Sequence, residues 1–222
     1  MPRIARGLAD NCIYHVINRG NGRGKVFHKE KDYEAFFDLL KEAKNRYAVR
    51  ILAYCLMPNH FHMALVPETG EHLSKWMQWV MTSHVRRYHR HYKTSGHIWQ
   101  GRYKSFMVKE DRHLLMVLRY IEGNPVRARI VDTASAWQWS SHRENAGMVK
   151  KEFTSDLPIK LPEKWNTFVD EPLSESEMKR LRESVNRQAP FGERAWQMKI
   201  CAALGLESTI RQRGRPKKDK AK

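Results

Sequence analysis

The chain has 222 residues, 41 of them lysine or arginine against 24 aspartate or glutamate, giving a net charge of +17 with 41% apolar residues. That suffices for the core of one ordinary domain with an appendage, and the charge favours a polyanionic partner, nucleic acid before an anionic membrane. No run approaches the roughly 20 apolar residues of a membrane span, MPRIARGLADNC at the start lacks a secretory h-region, and Cys12, Cys55 and Cys201 form no zinc or disulfide framework, so a cytoplasmic protein with reduced thiols is expected.

Residues 11–18, NCIYHVIN, read as a first strand of high β-propensity. The loop Arg19-Gly20-Asn21-Gly22-Arg23-Gly24 matches no nucleotide-binding fingerprint; it is either an ordinary glycine-rich turn or a loop whose backbone and guanidinium groups approach phosphate. Asp32 to Tyr47 carries apolar residues at helical spacing, and Arg50 to Met57 is a second strand. Pro58-Asn59 then turns the chain into a third strand, MPNHFHMALV, as a hairpin. Apolar on both faces, this hairpin is expected to lie centrally in its sheet. His60 and His62, two apart on a strand, share a face and can converge on a metal; ligand softness alone names zinc.

His72 to Tyr92 is a second long helix whose outer surface is strongly basic, Arg86 included. His97 to Lys109 reads as a fourth strand in which Trp99, Tyr103 and Phe106 alternate with Arg102 and Lys104, a pattern that suits stacked bases with paired phosphates or simply packed aromatics. The order strand, helix, strand, strand, helix, strand is that of an α+β fold with a ferredoxin-like antiparallel sheet carrying its helices on one face. Asp111 opens a further helix in which Tyr120 and Asn124 stand four apart. Tyr120 can act as a phosphoryl nucleophile and Asn124 can offer an oxygen to a metal, while a packed tyrosine and a cap before Pro125 are the structural readings.

After about Ala146 the composition shifts to a proline-punctuated linker or strap. Ser174 to Glu177 is a capping box opening a helix, and a second helix runs from Phe191 to Gly205. Residues 202–211 resemble a helix-turn-helix corner with a basic second helix, and Arg213-Gly214-Arg215-Pro216 resembles an AT-hook core in a basic tail.

Taken together, Asn18-Arg19-Gly20, MPNHFHMALV, WQGRYKS at 99–105, RYIEGNPVRA at 119–128, WSSHR at 139–143, APFGERAW at 189–196 and LGLESTIRQRGRP at 204–216 resemble the REP-associated tyrosine transposases of the HUH class. The resemblance implies a catalytic domain over residues 1–145 with a linker, helical extension and basic tail over 146–222. It implies that Tyr120 attacks single-stranded DNA at repetitive extragenic palindromic (REP) hairpins, leaving a 5′-phosphotyrosine and a free 3′-hydroxyl. His60 and His62 are then ligands to Mg2+ or Mn2+ rather than zinc, with Asn124 where relatives place a polar third ligand, usually glutamine. Arg19, Arg23, Arg86, Arg102, Lys104, Arg127, Arg213 and Arg215 are the expected DNA contacts. Two rivals keep the fold without the reaction: a noncatalytic REP-binding protein, and an RNA-binding module. No protein partner is implied, and without sustained heptads the state is monomer or homodimer.

Overall fold

In the computed structural model, which describes residues 7–211, the expected alternation appears as β1 (Ile13–Arg19), α1 (Glu30–Arg46), β2 (Val49–Met57), β3 (His60–Pro67), α2 (Gly70–Tyr92) and β4 (Lys104–Val108). The strands pair antiparallel in the order β2-β3-β1-β4, the ferredoxin-like arrangement. Period-two alternation then assigns faces. Phe61, Met63 and Leu65 of β3 point into a core shared with α1 and α2 through Phe36, Leu40, Trp76 and Val80. Ala64 and Val66 point the other way, into a second core completed by α3 (Arg112–Glu122) through Leu114, Val117, Leu118 and Ile121. The two helices of the repeating pattern thus occupy one face as expected, and α3 covers the other.

The remaining helices are α4 (Asn124–Arg127), α5 (His142–Asn145), α6 (Trp165–Asp170), α7 (Glu175–Arg187), α8 (Arg194–Leu204) and α9 (Glu207–Ile210). The Ser174–Glu177 capping box opens α7 as expected, and Gly205 ends α8 in the left-handed conformation. The helix-turn-helix expectation is corrected: α9 is one turn of Glu-Ser-Thr-Ile with no basic residue, too short to serve as a recognition helix. The AT-hook-like stretch, with Arg213 and Arg215, lies outside the described residues.

A second correction concerns the hairpin. Only β3 is central; β2 is an edge strand. It is apolar throughout because its free edge is covered by later chain. Leu56 N donates to Trp139 O (2.8 Å), Ser141 N to Tyr54 O (2.9 Å) and Ser155 N to Ile51 O (2.7 Å). The β4 edge is covered likewise, Phe191 N donating to Met107 O (2.7 Å) and Lys109 N to Phe191 O (2.9 Å). Both edges that could template aggregation are occupied by the C-terminal half. The fourth strand is also shorter than the reading of His97 to Lys109. Residues 97–103 form a loop in which Trp99 and Tyr103 are buried, Trp99 Nε1 donating to His84 Nδ1 (3.2 Å), so these aromatics are core rather than a base-stacking surface.

The fully buried carboxylate of Glu122 ends α3. It accepts from Ser141 Oγ (2.7 Å), Asn145 Nδ2 (2.6 Å), Trp165 Nε1 (2.8 Å) and His142 Nδ1 (3.1 Å). A carboxylate oxygen accepts, so His142 donates from Nδ1, and its Nε2 is buried without a partner. Trp137 adds Nε1 to Leu56 O (3.0 Å). Glu122→Ala would remove the acceptor shared by four donors, three of them buried, and its cost is expected at about 3–5 kcal/mol in urea unfolding. A loss below about 1 kcal/mol would show the cluster to be incidental.

Candidate active site

Three elements deliver side chains to one cleft of about 500 Å³: β1 with Ile17, Asn18 and Arg19, the start of β3 with His60 and His62, and the α3–α4 junction with Tyr120 and Asn124. Loop residues Gln100 to Arg102, Lys104 of β4, and Arg182, Val185 and Asn186 of α7 complete it. The backbone brings the motifs together. Gly20 N donates to Asn59 O (2.8 Å), Gln100 N to Arg19 O (2.8 Å) and Asn21 N to Ile98 O (2.8 Å), which ties the first loop to the hairpin turn and the 97–103 loop. A Cβ on Gly20 would lie 2.2 Å from the Gly24 carbonyl oxygen, so the closeness of the loop to itself requires glycine.

His60 and His62 share the sheet face that α3 covers, their ring centroids 5.0 Å apart. Asn59 Nδ2 donates to Arg23 O (3.0 Å), which turns its Oδ1 to His60 Nδ1 (2.7 Å); His60 Nε2 then faces Asn124 Nδ2 at 3.4 Å. Behind His62 stands His15, fully buried, with Nε2 2.9 Å from His62 Nδ1 and no partner on its own Nδ1. The Tyr120 ring lies edge-on to His62, centroids 5.4 Å apart, and to His15 at 5.9 Å. Arg127 packs its guanidinium over the Tyr120 ring, 4.3 Å from the centroid, and donates to Tyr120 O. The helix breaks between Tyr120 and Asn124: α3 ends at Glu122, Gly123 caps it, and Asn124 starts α4. Asn124 is therefore the first residue of α4 rather than its cap, and its side chain lines the cleft.

Electrostatics keep the imidazoles neutral. Burial pushes His60 down to about 4, with the Arg19 and Arg127 guanidinium groups adding to it. Burial likewise depresses His62 well below its usual range, helped by His60, His15 and the same arginines. His15 falls to about 3 through burial and Arg127. Arg127 itself is lowered to about 10 by burial, opposed by Tyr120. Among the described residues no carboxylate lines the cleft.

Of the expected DNA contacts, Arg19, Arg102 and Lys104 line the cleft and are exposed, whereas Arg23 is exposed on the adjacent loop. Arg127 stands beneath Tyr120 instead of on the open surface. Arg86 borders a separate apolar groove with Met77, Met81, Val85 and Ile98, which Arg102 joins to the cleft. Sequence reasoning passed over His15, Asn59 and Arg182. His15 carried a faint signal, a histidine inside an apolar strand; Arg182 carried none, since only the folding back of α7 brings it here.

The donor set fits a divalent ion in kind: the Nε2 lone pair of His60, the Nε2 of His62 when His62 donates Nδ1–H to His15, and the Oδ1 of Asn124, whose Nδ2 here faces His60 Nε2. A different cluster among the described residues, Asp111, His113 and Glu193, also has ligand-like spacing. There Lys109 Nζ already pairs with Asp111 (3.2 Å) and Glu193. Both imidazole nitrogens are engaged as well, Nδ1 by Asp111 (2.6 Å) and Nε2 by Arg180 (3.2 Å).

The depressed histidines set a pH dependence. Folded values below the unfolded value of about 6.5 mean that the unfolded chain takes up protons first as pH falls. Stability is therefore full above about 6.5 and is lost as pH falls toward the folded values, by up to roughly 1.4 kcal/mol per pH unit for each such histidine. His84, pushed to about 4 by burial in the α1–α2 core, adds to His60, His62 and the buried His15. Urea midpoints of ion-free protein are expected to fall steadily from pH 7 to pH 5, above the titration range of ordinary carboxylates. Constant midpoints over that interval would contradict the neutral, buried assignment.

Comparison with known proteins identifies relatives of the chain and of its fold. A curated protein of Haemophilus influenzae, whose name places it among the REP-associated tyrosine transposases, is 28% identical over 121 residues, 49% of this chain and 68% of that one. A solved structure of a REP-associated tyrosine transposase bound to a REP hairpin shares the fold, with a TM-score of 0.57 at 18% identity over 72% of this chain and 95% of that one. Among the described residues no helix is long and apolar enough to cross a membrane. The model of the family described as "Transposase IS200 like" matches residues 9–124, more than half of the chain and inclusive of His60, His62, Tyr120 and Asn124, and the chain belongs to that family.

Proposed function

We propose that this protein cleaves and rejoins single-stranded DNA at REP-type hairpins, with Tyr120 as nucleophile and His60, His62 and Asn124 holding Mg2+ or Mn2+. The observation that carries the reading is the meeting of Tyr120, the two imidazoles and Asn124 in one basic cleft, which no carboxylate lines among the described residues. A polyanion is drawn in by Arg19, Arg102, Lys104 and Arg182. The names of the relatives support the substrate class.

The chemistry balances as a transesterification. The Tyr120 oxygen forms a bond to phosphorus, the bond from phosphorus to the 3′-oxygen breaks, and the phenolic proton passes through solvent to the departing 3′-hydroxyl. The phosphodiester energy is kept in the tyrosyl ester, so a 3′-hydroxyl from another strand reverses the step. A divalent ion, when bound, supplies charge neutralisation at the phosphate. The protein's own part is positional: Arg127 and His62 hold the Tyr120 ring from its face and its edge, and the surrounding cations offset phosphate charge.

Denaturing gels of the protein with labelled single-stranded hairpin DNA and Mn2+ test this. A protease-sensitive covalent adduct is expected in wild type and in neither Tyr120→Phe nor His60→Ala, with hairpin binding retained in both variants. Binding without any adduct would favour the noncatalytic REP-binding protein. Arg182→Ala is expected to weaken hairpin binding for all sequences alike and reduce the slope of log affinity against log salt by about 1. An unchanged slope would remove α7 from the interface.

A further inference from the structure

The glycine-rich loop after β1 invites reading as a phosphate cradle, yet its backbone makes a contact of another kind. Gly22 and Arg23 both adopt left-handed backbone, φ 57° and 62°. Past that turn the Arg23 carbonyl accepts from Asn59 Nδ2 (3.0 Å), and the loop is clamped to the same residue a second time by Gly20 N on Asn59 O (2.8 Å). A carbonyl can only accept, so this bond fixes which end of the Asn59 amide is nitrogen. Oδ1 is left 2.7 Å from His60 Nδ1, and an amide oxygen also only accepts. His60 must therefore carry its proton on Nδ1, and its Nε2 presents a lone pair toward Asn124. The chain of bonds from loop carbonyl to amide to imidazole leaves one tautomer. Were the Asn59 amide reversed, its NH2 would face His60 Nδ1, the proton would sit on Nε2, and the nitrogen aimed into the cleft could not ligate.

We propose that Asn59 is a positioning residue through which the loop backbone at Arg23 sets His60 in its ligating tautomer and orientation. The inference rests on the ion site proposed above. It gives the loop a role independent of any phosphate contact: its turn aims a carbonyl at the amide that aims the imidazole. Partners of this kind behind a metal-binding histidine typically change metal affinity 10–100-fold when removed.

The test uses the full chain without DNA, 15N-labelled at histidine. Long-range 15N–1H spectra read the His60 tautomer, and Mn2+ titration followed by electron paramagnetic resonance reads affinity. Asn59→Ala, which removes the acceptor, is expected to lose the exclusive Nδ1–H form and to weaken Mn2+ binding about 10–100-fold, with thermal unfolding unchanged. Asn59→Asp keeps an acceptor for His60 Nδ1 while losing the bond to the Arg23 carbonyl, and is expected to keep the Nδ1–H tautomer. A retained Nδ1–H tautomer and affinity in Asn59→Ala overturns the proposal, as does equal loss of the tautomer in Asn59→Asp. If wild type shows the Nδ1–H tautomer, Asn59→Ala loses it, and neither binds Mn2+, the ion reading falls while the hold of Asn59 on His60 stands.

Discussion

The buried carboxylate of Glu122 is the interaction on which the cleft depends. A buried carboxylate is tolerable only when it is hydrogen-bonded on all sides, and Glu122 has four donors drawn from two later segments of the chain, residues 141–145 and Trp165. Tyr120 lies two residues before it and Asn124 two after, so the cluster anchors the helix end from which both project. The close approach of Gly123 serves the same end: a Cβ there would lie 2.9 Å from Val169 O and 3.0 Å from Arg119 O. The helix break thus lets α6 pack tightly where the chain turns from Tyr120 to Asn124.

The same cluster explains why motifs distant in sequence belong together. Ser141 and His142 of WSSHR have no place in the cleft, but they are donors to the carboxylate of RYIEGNP. Ser141 acts twice, since its hydroxyl also accepts from Tyr54 N (3.0 Å) at the β2 edge. Further on, Phe191 pairs with the β4 edge, and α7 between these two straps lays Arg182 against the cleft. The extension is therefore part of how the sheet is closed and how the site is walled.

What the sequence disclosed follows from the range of its signals. Alternation and helical spacing are local, and they were enough for β1 through α3, for the shared face of His60 and His62, and for the capping box at Ser174. The apolar character of β2 was equally plain, but it reports burial alone; a strand covered by a later segment looks the same as one flanked by strands. The interleaved aromatics of residues 99–106 posed the same ambiguity, and burial of Trp99 and Tyr103 resolved it toward the core. His15, Asn59 and Arg182 were out of reach because their roles exist only as pairings between elements. A histidine in a strand becomes a partner to His62 only through the β1–β3 register, in which His62 lies across from Ile17.

The electrostatics of the cleft unite its two proposed ligands. Arg19 and Arg127 help keep His60 and His62 unprotonated, which is the form a metal requires, and Arg19 stands among the cations that would attract a phosphate. Those same cations repel a free divalent ion, and no carboxylate among the described residues of the cleft offsets them. Under the proposed reading the missing negative charge comes from the scissile phosphate. Each bound species then improves the site for the other, and by linkage the improvement is equal in both directions. A basic, carboxylate-free cleft would in this way make firm retention of the ion coincide with the presence of the strand to be cut.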